Sequence, residues 1–176
     1  MKKWMKRISL VAVIIVLMPT LVSGGSVNAE VSRVTYFTIQ SNTVCVDQGG
    51  SATSVYLNLT NTSNIPTEVT LFLYNDAGAL ITDKQSAASI SNSGYKSQIT
   101  PGDTTTLSAK STEHYLGLFG SIGASCANRP AFGKIVINSD SGLVLAGGEI
   151  KGQSNVASPS VVLTNTPIIV NSGQPF

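Results

Sequence analysis

Apolar and polar residues alternate along most of this chain, in short runs broken by turn chemistry. The cleanest run is SVYLNLT at 54–60. Val55, Leu57 and Leu59 fall on one face of an extended strand, and Tyr56, Asn58 and Thr60 fall on the other. EVTLFLY at 68–74 repeats the pattern, with Val69, Leu71 and Leu73 opposite Thr70, Phe72 and Tyr74. VTYFTIQ at 34–40, TTTLSA at 104–109, HYLGLF at 114–119 and the paired runs VVL (161–163) and IIV (168–170) read the same way. TVCVD at 43–47 is a further strand or a continuation of the first. No window holds a sustained helical apolar period, so the pattern predicts strands throughout.

Turn residues punctuate these runs. Asn75-Asp76-Ala77-Gly78 predicts a hairpin across 68–84, because Asn and Asp side chains bond to nearby backbone and Gly78 supplies φ > 0 without a Cβ clash. Ser139-Asp140-Ser141-Gly142 predicts a second hairpin across 134–150 by the same chemistry. Pro101-Gly102 is a type II turn signal. Gln48-Gly49-Gly50-Ser51 reads as a turn, 61–66 as a loop, 85–98 as a long polar loop with room for one edge strand, and 120–132 as a small-residue loop. Gly147-Gly148 marks a bulge or a crowded strand crossing. Asp76 and Asp140 are read as turn residues; a calcium site would need several more oxygen ligands, and the EF-hand pattern is absent. Asn58-Leu59-Thr60 and Asn61-Thr62-Ser63 match the glycosylation acceptor pattern, but are read as surface strand and loop.

The N-terminus follows different rules. Lys2, Lys3, Lys6 and Arg7 precede an apolar run at 8–18, then Pro19, Gly24-Gly25 and a small-residue site at Val27-Asn28-Ala29. That order predicts a secretory signal peptide over 1–29. The apolar run is short for a membrane-spanning helix, which needs about 20 residues. Cleavage removes four of the 11 basic residues and none of the 9 acidic ones. A mature chain of 147 residues would then carry a net charge of −2. No clustered basic face remains, so nucleic acid is not an expected partner. No membrane contact is expected after cleavage.

Cysteine usage fits secretion. Cys45 and Cys126 are the only two cysteines, and one internal disulfide is the simplest expectation, with inter-chain linkage as the alternative. The pair lacks redox spacing, and zinc would need more ligands. His114 is the only histidine. A hydrolase would have to use it, and no nucleophile-elbow motif accompanies it. The acidic residues are scattered, mostly at turns. No active site, metal or cofactor is expected.

Ten aromatic residues lie beyond residue 29. Tyr56, Phe72 and Tyr74 sit opposite the aliphatic faces of their strands and are candidate ligand or subunit contacts. A covering loop over them is the competing reading.

LFLYNDAGALI, PGDTTTLSA and GKIVINSDSGLVLAGGEI together make 55–150 resemble bacterial secreted Ig-like β-sandwich domains. The resemblance implies surface display, adhesion or matrix assembly, without an active site. The cysteine pair and residues 160–176 lie outside the shared pattern.

These readings converge on an all-β chain: a single antiparallel Ig-like β-sandwich of seven to nine strands. Residues 1–29 form the leader, 30–152 the sandwich, and 153–176 a C-terminal tail with one or two β-prone segments that pair within the chain or with another molecule. The expected function is a non-enzymatic secreted or cell-surface matrix protein that self-associates through sheet edges as a homo-oligomer. The alternative is an extracellular polysaccharide- or cell-wall-binding module.

Overall fold

The computed structural model describes residues 32–40, 45–48, 50–81, 97–121, 123–154 and 161–176, with the side chains of 161–163 left aside. The leader lies outside the described residues, as does most of the 85–98 loop. The chain is all-β. It forms β1 (Ser32–Thr38), β2 (Ser51–Asn61), β3 (Thr67–Asn75), β4 (Thr104–Leu107), β5 (Thr112–Gly120), β6 (Pro130–Asn138), β7 (Val144–Ser154) and β8 (Val161–Ile169), with two single-turn 3₁₀ segments. They make two four-stranded antiparallel sheets, ordered β1-β6-β3-β4 and β5-β2-β7-β8.

Alternation builds the core. Val69, Leu71, Leu73, Ile135 and Ile137 from the first sheet meet Val55, Leu57, Leu59, Tyr115, Phe119 and Ile150 from the second in one buried cluster. Each such side chain contributes about 1.5–3 kcal/mol by leaving water. Tyr115 and Phe119 are the two largest fully buried side chains. A Cβ on Gly117, which sits between them on the same face, would collide with both rings. Gly148, at the centre of β7, is crowded in another way: its Cβ would fall on the Tyr56 carbonyl, whereas a Cβ on neighbouring Gly147 would meet the Ile168 carbonyl at an ordinary 3.6 Å.

The first turn closes as its residues require. Asn75 Oδ1 accepts from the N–H groups of Ala77 (3.1 Å) and Ala79 (2.9 Å), and Gly78 takes φ 78°. Leu80 then bridges back to Tyr74, and Ile81 N–H donates to Leu73 O. The remainder of that predicted hairpin, 82–84, lies outside the described residues. The type II turn at Pro101-Gly102 also forms, with Gly102 at φ 89° and Asp103 N–H donating to Thr100 O.

The second predicted hairpin is not one. β6 belongs to the first sheet and β7 to the second, so 139–143 is an arch between sheets. A hairpin and an arch share the same alternation; what separates them is whether Ile135 and Val144 face the core side by side or across it. Among the described strands, five of the seven connections cross in this way, and β3–β4 and β7–β8 stay within one sheet. The 43–47 stretch contributes no strand among its described residues. β7 runs through to Ser154, and β8 lies beside it as an outer strand that passes through Pro167. Backbone bonds link Phe176 and Val144 reciprocally, both at 3.0 Å, and the Phe176 side chain packs on the core.

Three crossings are anchored by polar side chains. Asn61, fully buried at the end of β2, donates to the carbonyls of Ile65 (2.7 Å), Leu107 (3.1 Å) and Ser108 (3.1 Å) and accepts from Ser63 N–H and Oγ–H. Asn61, read from sequence as loop surface, is therefore a buried node, and its Nδ2 faces three carbonyls rather than solvent. Arg33, on β1, donates to the carbonyls of Ser139 and Gly142 in the β6–β7 arch. Asp47 accepts from Cys126 N–H (2.6 Å) and Ser125 Oγ–H (3.1 Å) in the β5–β6 connection, beside the Cys45–Cys126 disulfide. With its ends separated by 81 positions in sequence, that crosslink contributes about 4–5 kcal/mol in the chain-entropy picture.

Asn61→Ala removes the side chain that bonds five groups around the β2–β3 crossing. It is expected to destabilise the fold by about 3 kcal/mol, measured by denaturant unfolding, against at most about 1 kcal/mol for Asn58→Ala on the outward face of the same strand. Equal losses at the two positions would remove Asn61 as an anchor.

Candidate interaction surface

The first sheet carries Tyr36, Phe72, Tyr74 and Phe132 outward in register, while Phe37 turns into the core. β1 faces β6 with Tyr36 opposite Lys134, and β6 faces β3 with Lys134 opposite Phe72. The next row sets Thr38 opposite Phe132 and Phe132 opposite Tyr74; the row before sets Val34 opposite Val136 and Val136 opposite Thr70. Lys134 Nζ lies 4.6 Å from the Phe72 ring centre, a cation–π contact. Tyr74 and Phe132 stack at 4.8 Å with planes 9° apart. Tyr36 stands out at 68% exposure and Val34 at 46%.

Tyr36, Phe37, Thr38 and Phe132 line a groove of about 380 Å³ with Ile169, which reaches it from β8 of the other sheet. The edge strands β1 and β8 therefore adjoin on one flank of the sandwich.

The three aromatic candidates do not form one patch. Phe72 and Tyr74 lie on the outer face of the first sheet, and Tyr56 lies on the outer face of the second, a full sandwich away. Tyr56 belongs to a small polar cluster. Lys151 Nζ sits 5.0 Å from its ring centre and pairs with Glu149, which also accepts from Asn165 Nδ2 at 3.0 Å. The Lys151 ammonium, bonded to the Glu149 carboxylate, holds Glu149 below its ordinary range; burial opposes the shift, and Asn165 assists it. His114 Nδ1 bonds Asn58 Oδ1 at 2.7 Å on the same face. Asp76 lies 3.9 Å from Arg129. Among the described residues no three His, Cys, Asp or Glu side chains gather to hold a metal, and no helix is long and apolar enough to cross a membrane.

Tyr36, Phe132 and Lys134 were missed as site residues by sequence reading. A signal exists in VTYFTIQ: Val34 and Tyr36 alternate with Phe37 and Ile39, so both faces of the strand carry large apolar side chains. Half of them cannot reach the core.

No protein-family model, curated protein or solved structure matches this chain.

Glu149 supplies a pH test of the second face. Its depressed folded pKa means the contribution is present above the unfolded pKa and is lost as pH falls through the folded value. Both partners are partly exposed, so the contribution stays below about 1 kcal/mol. The melting-temperature advantage of wild type over Glu149→Gln is expected at pH 7 and should close as the medium is acidified below the normal carboxylate range. A gap that is constant from neutral to acid pH would dismiss the ion pair as its source.

Proposed function

We propose that this protein is a non-enzymatic extracellular structural or cell-surface component that associates with itself through open sheet edges. The observation that carries the reading is β1. It is bonded to β6 on one side and to no strand on the other among the described residues, and its exposed side chains are Ser32, Val34, Tyr36 and Thr38. An open strand with this composition is a ready template for another strand.

We also read the sandwich as Ig-like in its centre. β2 beside β5 and β3 beside β6 match the B–E and C–F adjacencies of Ig domains. The outer strands depart from that plan, since β7 lies beside β2 and β1 beside β6. An extracellular setting is supported by the Cys45–Cys126 pair at bonding distance.

Polysaccharide binding has weaker support. Sugar stacking needs open ring faces, and one face of Tyr56 is taken by Lys151, one of Phe72 by Lys134, and one each of Tyr74 and Phe132 by their own stack. Light scattering on a sizing column across a concentration series, with electron microscopy, tests the proposal. Mass should rise with concentration, and Tyr56→Ala, on the far sheet, should leave that rise unchanged. A chain that stays monomeric throughout but is retained on insoluble glycan would replace the structural reading with the binding one.

A further inference from the structure

We propose that β1 pairs with β1 of a second copy of this chain, antiparallel about a two-fold axis at Tyr36, to give a closed dimer. The inference rests on the self-association reading above and names its partner and geometry.

Backbone parity comes first. Ile39 N–H donates to Ala131 O at 2.8 Å. In the β1–β6 register these two residues lie directly opposite, one step beyond Thr38 and Phe132. Hydrogen-bonded and non-bonded pairs alternate along an antiparallel ladder. Phe37 and Thr35 therefore also bond toward β6, while Val34, Tyr36 and Thr38 turn their N–H and C=O groups to the open edge. The same three residues, with Ser32, carry the exposed side chains of the strand.

Self-pairing suits this sequence. A strand laid antiparallel on its own copy sets every residue opposite a residue of the same short list. Centred on Tyr36, it places Val34 opposite Thr38 of the second copy, Tyr36 opposite Tyr36, and Thr38 opposite Val34. All three pairs have the parity that exchanges two hydrogen bonds each. Like charges facing across such an axis would oppose it, and residues 34–40 carry none. The one charge on β1, Arg33, is tied to the β6–β7 arch. β-Branched and aromatic side chains opposite one another favour the pairing.

The other three edges suit it less. β4 is four residues long and follows Asp103. β5 carries Glu113, and its His114 carbonyl already accepts from Gln98 and Ile99. β8 contains Pro167, which cannot donate. Pairing through β1 would merge two first sheets into one of eight strands. Its outer face would run from Phe72 and Lys134 of one copy, through the two Tyr36 rings, to Lys134 and Phe72 of the other.

The test uses the intact chain with its disulfide. Light scattering gives the mass, and amide exchange is read by residue at high and low concentration. The expected result is a dimer in which Val34, Tyr36 and Thr38 exchange at least about tenfold more slowly than in the diluted monomer, while Thr35 and Phe37 do not change. Tyr36→Pro deletes an N–H that points to the open edge and leaves the β6 ladder intact; it is expected to be a folded monomer. Tyr36→Lys, which sets like charges on the axis, is expected to be monomeric as well and covers any strain from the proline. Association that persists in both variants, or exchange at the three amides that is the same in both states, would overturn β1 pairing and leave self-association standing. Assemblies that grow beyond two copies would overturn the closed geometry. A chain that is monomeric at every concentration would overturn the self-association reading itself.

Discussion

A dry seam between two sheets is the constraint on which the rest of this structure depends. Val55, Leu57 and Leu59 must meet Val69, Leu71 and Leu73 across it, yet the two rows lie only a few residues apart in the chain. A hairpin would set the rows side by side in one sheet, with one apolar face and nothing to cover it. Crossing from sheet to sheet lets consecutive strands cover each other. The chain does so at five connections, and the resulting contacts are long in sequence and costly to close.

Each crossing takes backbone away from a ladder, and buried backbone needs partners. Asn61 meets that need at β2–β3, Arg33 at β6–β7, and Asp47 with the disulfide at β5–β6. Two of the three anchors come from elsewhere in the sequence: Arg33 lies 109 residues from Gly142, and Asp47 lies 79 from Cys126. Polar residues sparse enough to look incidental thus hold the corners. The aliphatic seam supplies most of the free energy, and the anchors decide which strands face one another.

The all-β class, the inward faces of β2 and β3, the Asn75–Gly78 turn and the cysteine partners were legible in the sequence, because each depends on local period, turn chemistry or simple pairing. The β6–β7 arch was not, since arch and hairpin have identical alternation. Asn61 was misread for a related reason: N-T-S looks like surface until Leu107 and Ser108, 46 and 47 positions away, bring their carbonyls to its side chain. Tyr56 was grouped with Phe72 and Tyr74 because all three oppose aliphatic faces. Sharing a pattern is not sharing a sheet, and the crossing at Asn61 sends them to opposite sides of the sandwich.

The same topology explains why one edge differs from the rest. A strand covered on both sides can be apolar on both faces, whereas an edge strand with two apolar faces leaves one exposed. β1 is such a strand: Phe37 and Ile39 enter the core, while Val34 and Tyr36 remain outside. Folding gains nothing from burying the outward pair, because no layer lies beyond the first sheet among the described residues. Lys134 and Phe132 soften the outer face by engaging Phe72 and Tyr74, and the Tyr36 side chain beside them stays exposed. The exposed rim is thus a by-product of closing the seam from one side, and it is the place where a second layer or a second strand gains most from docking.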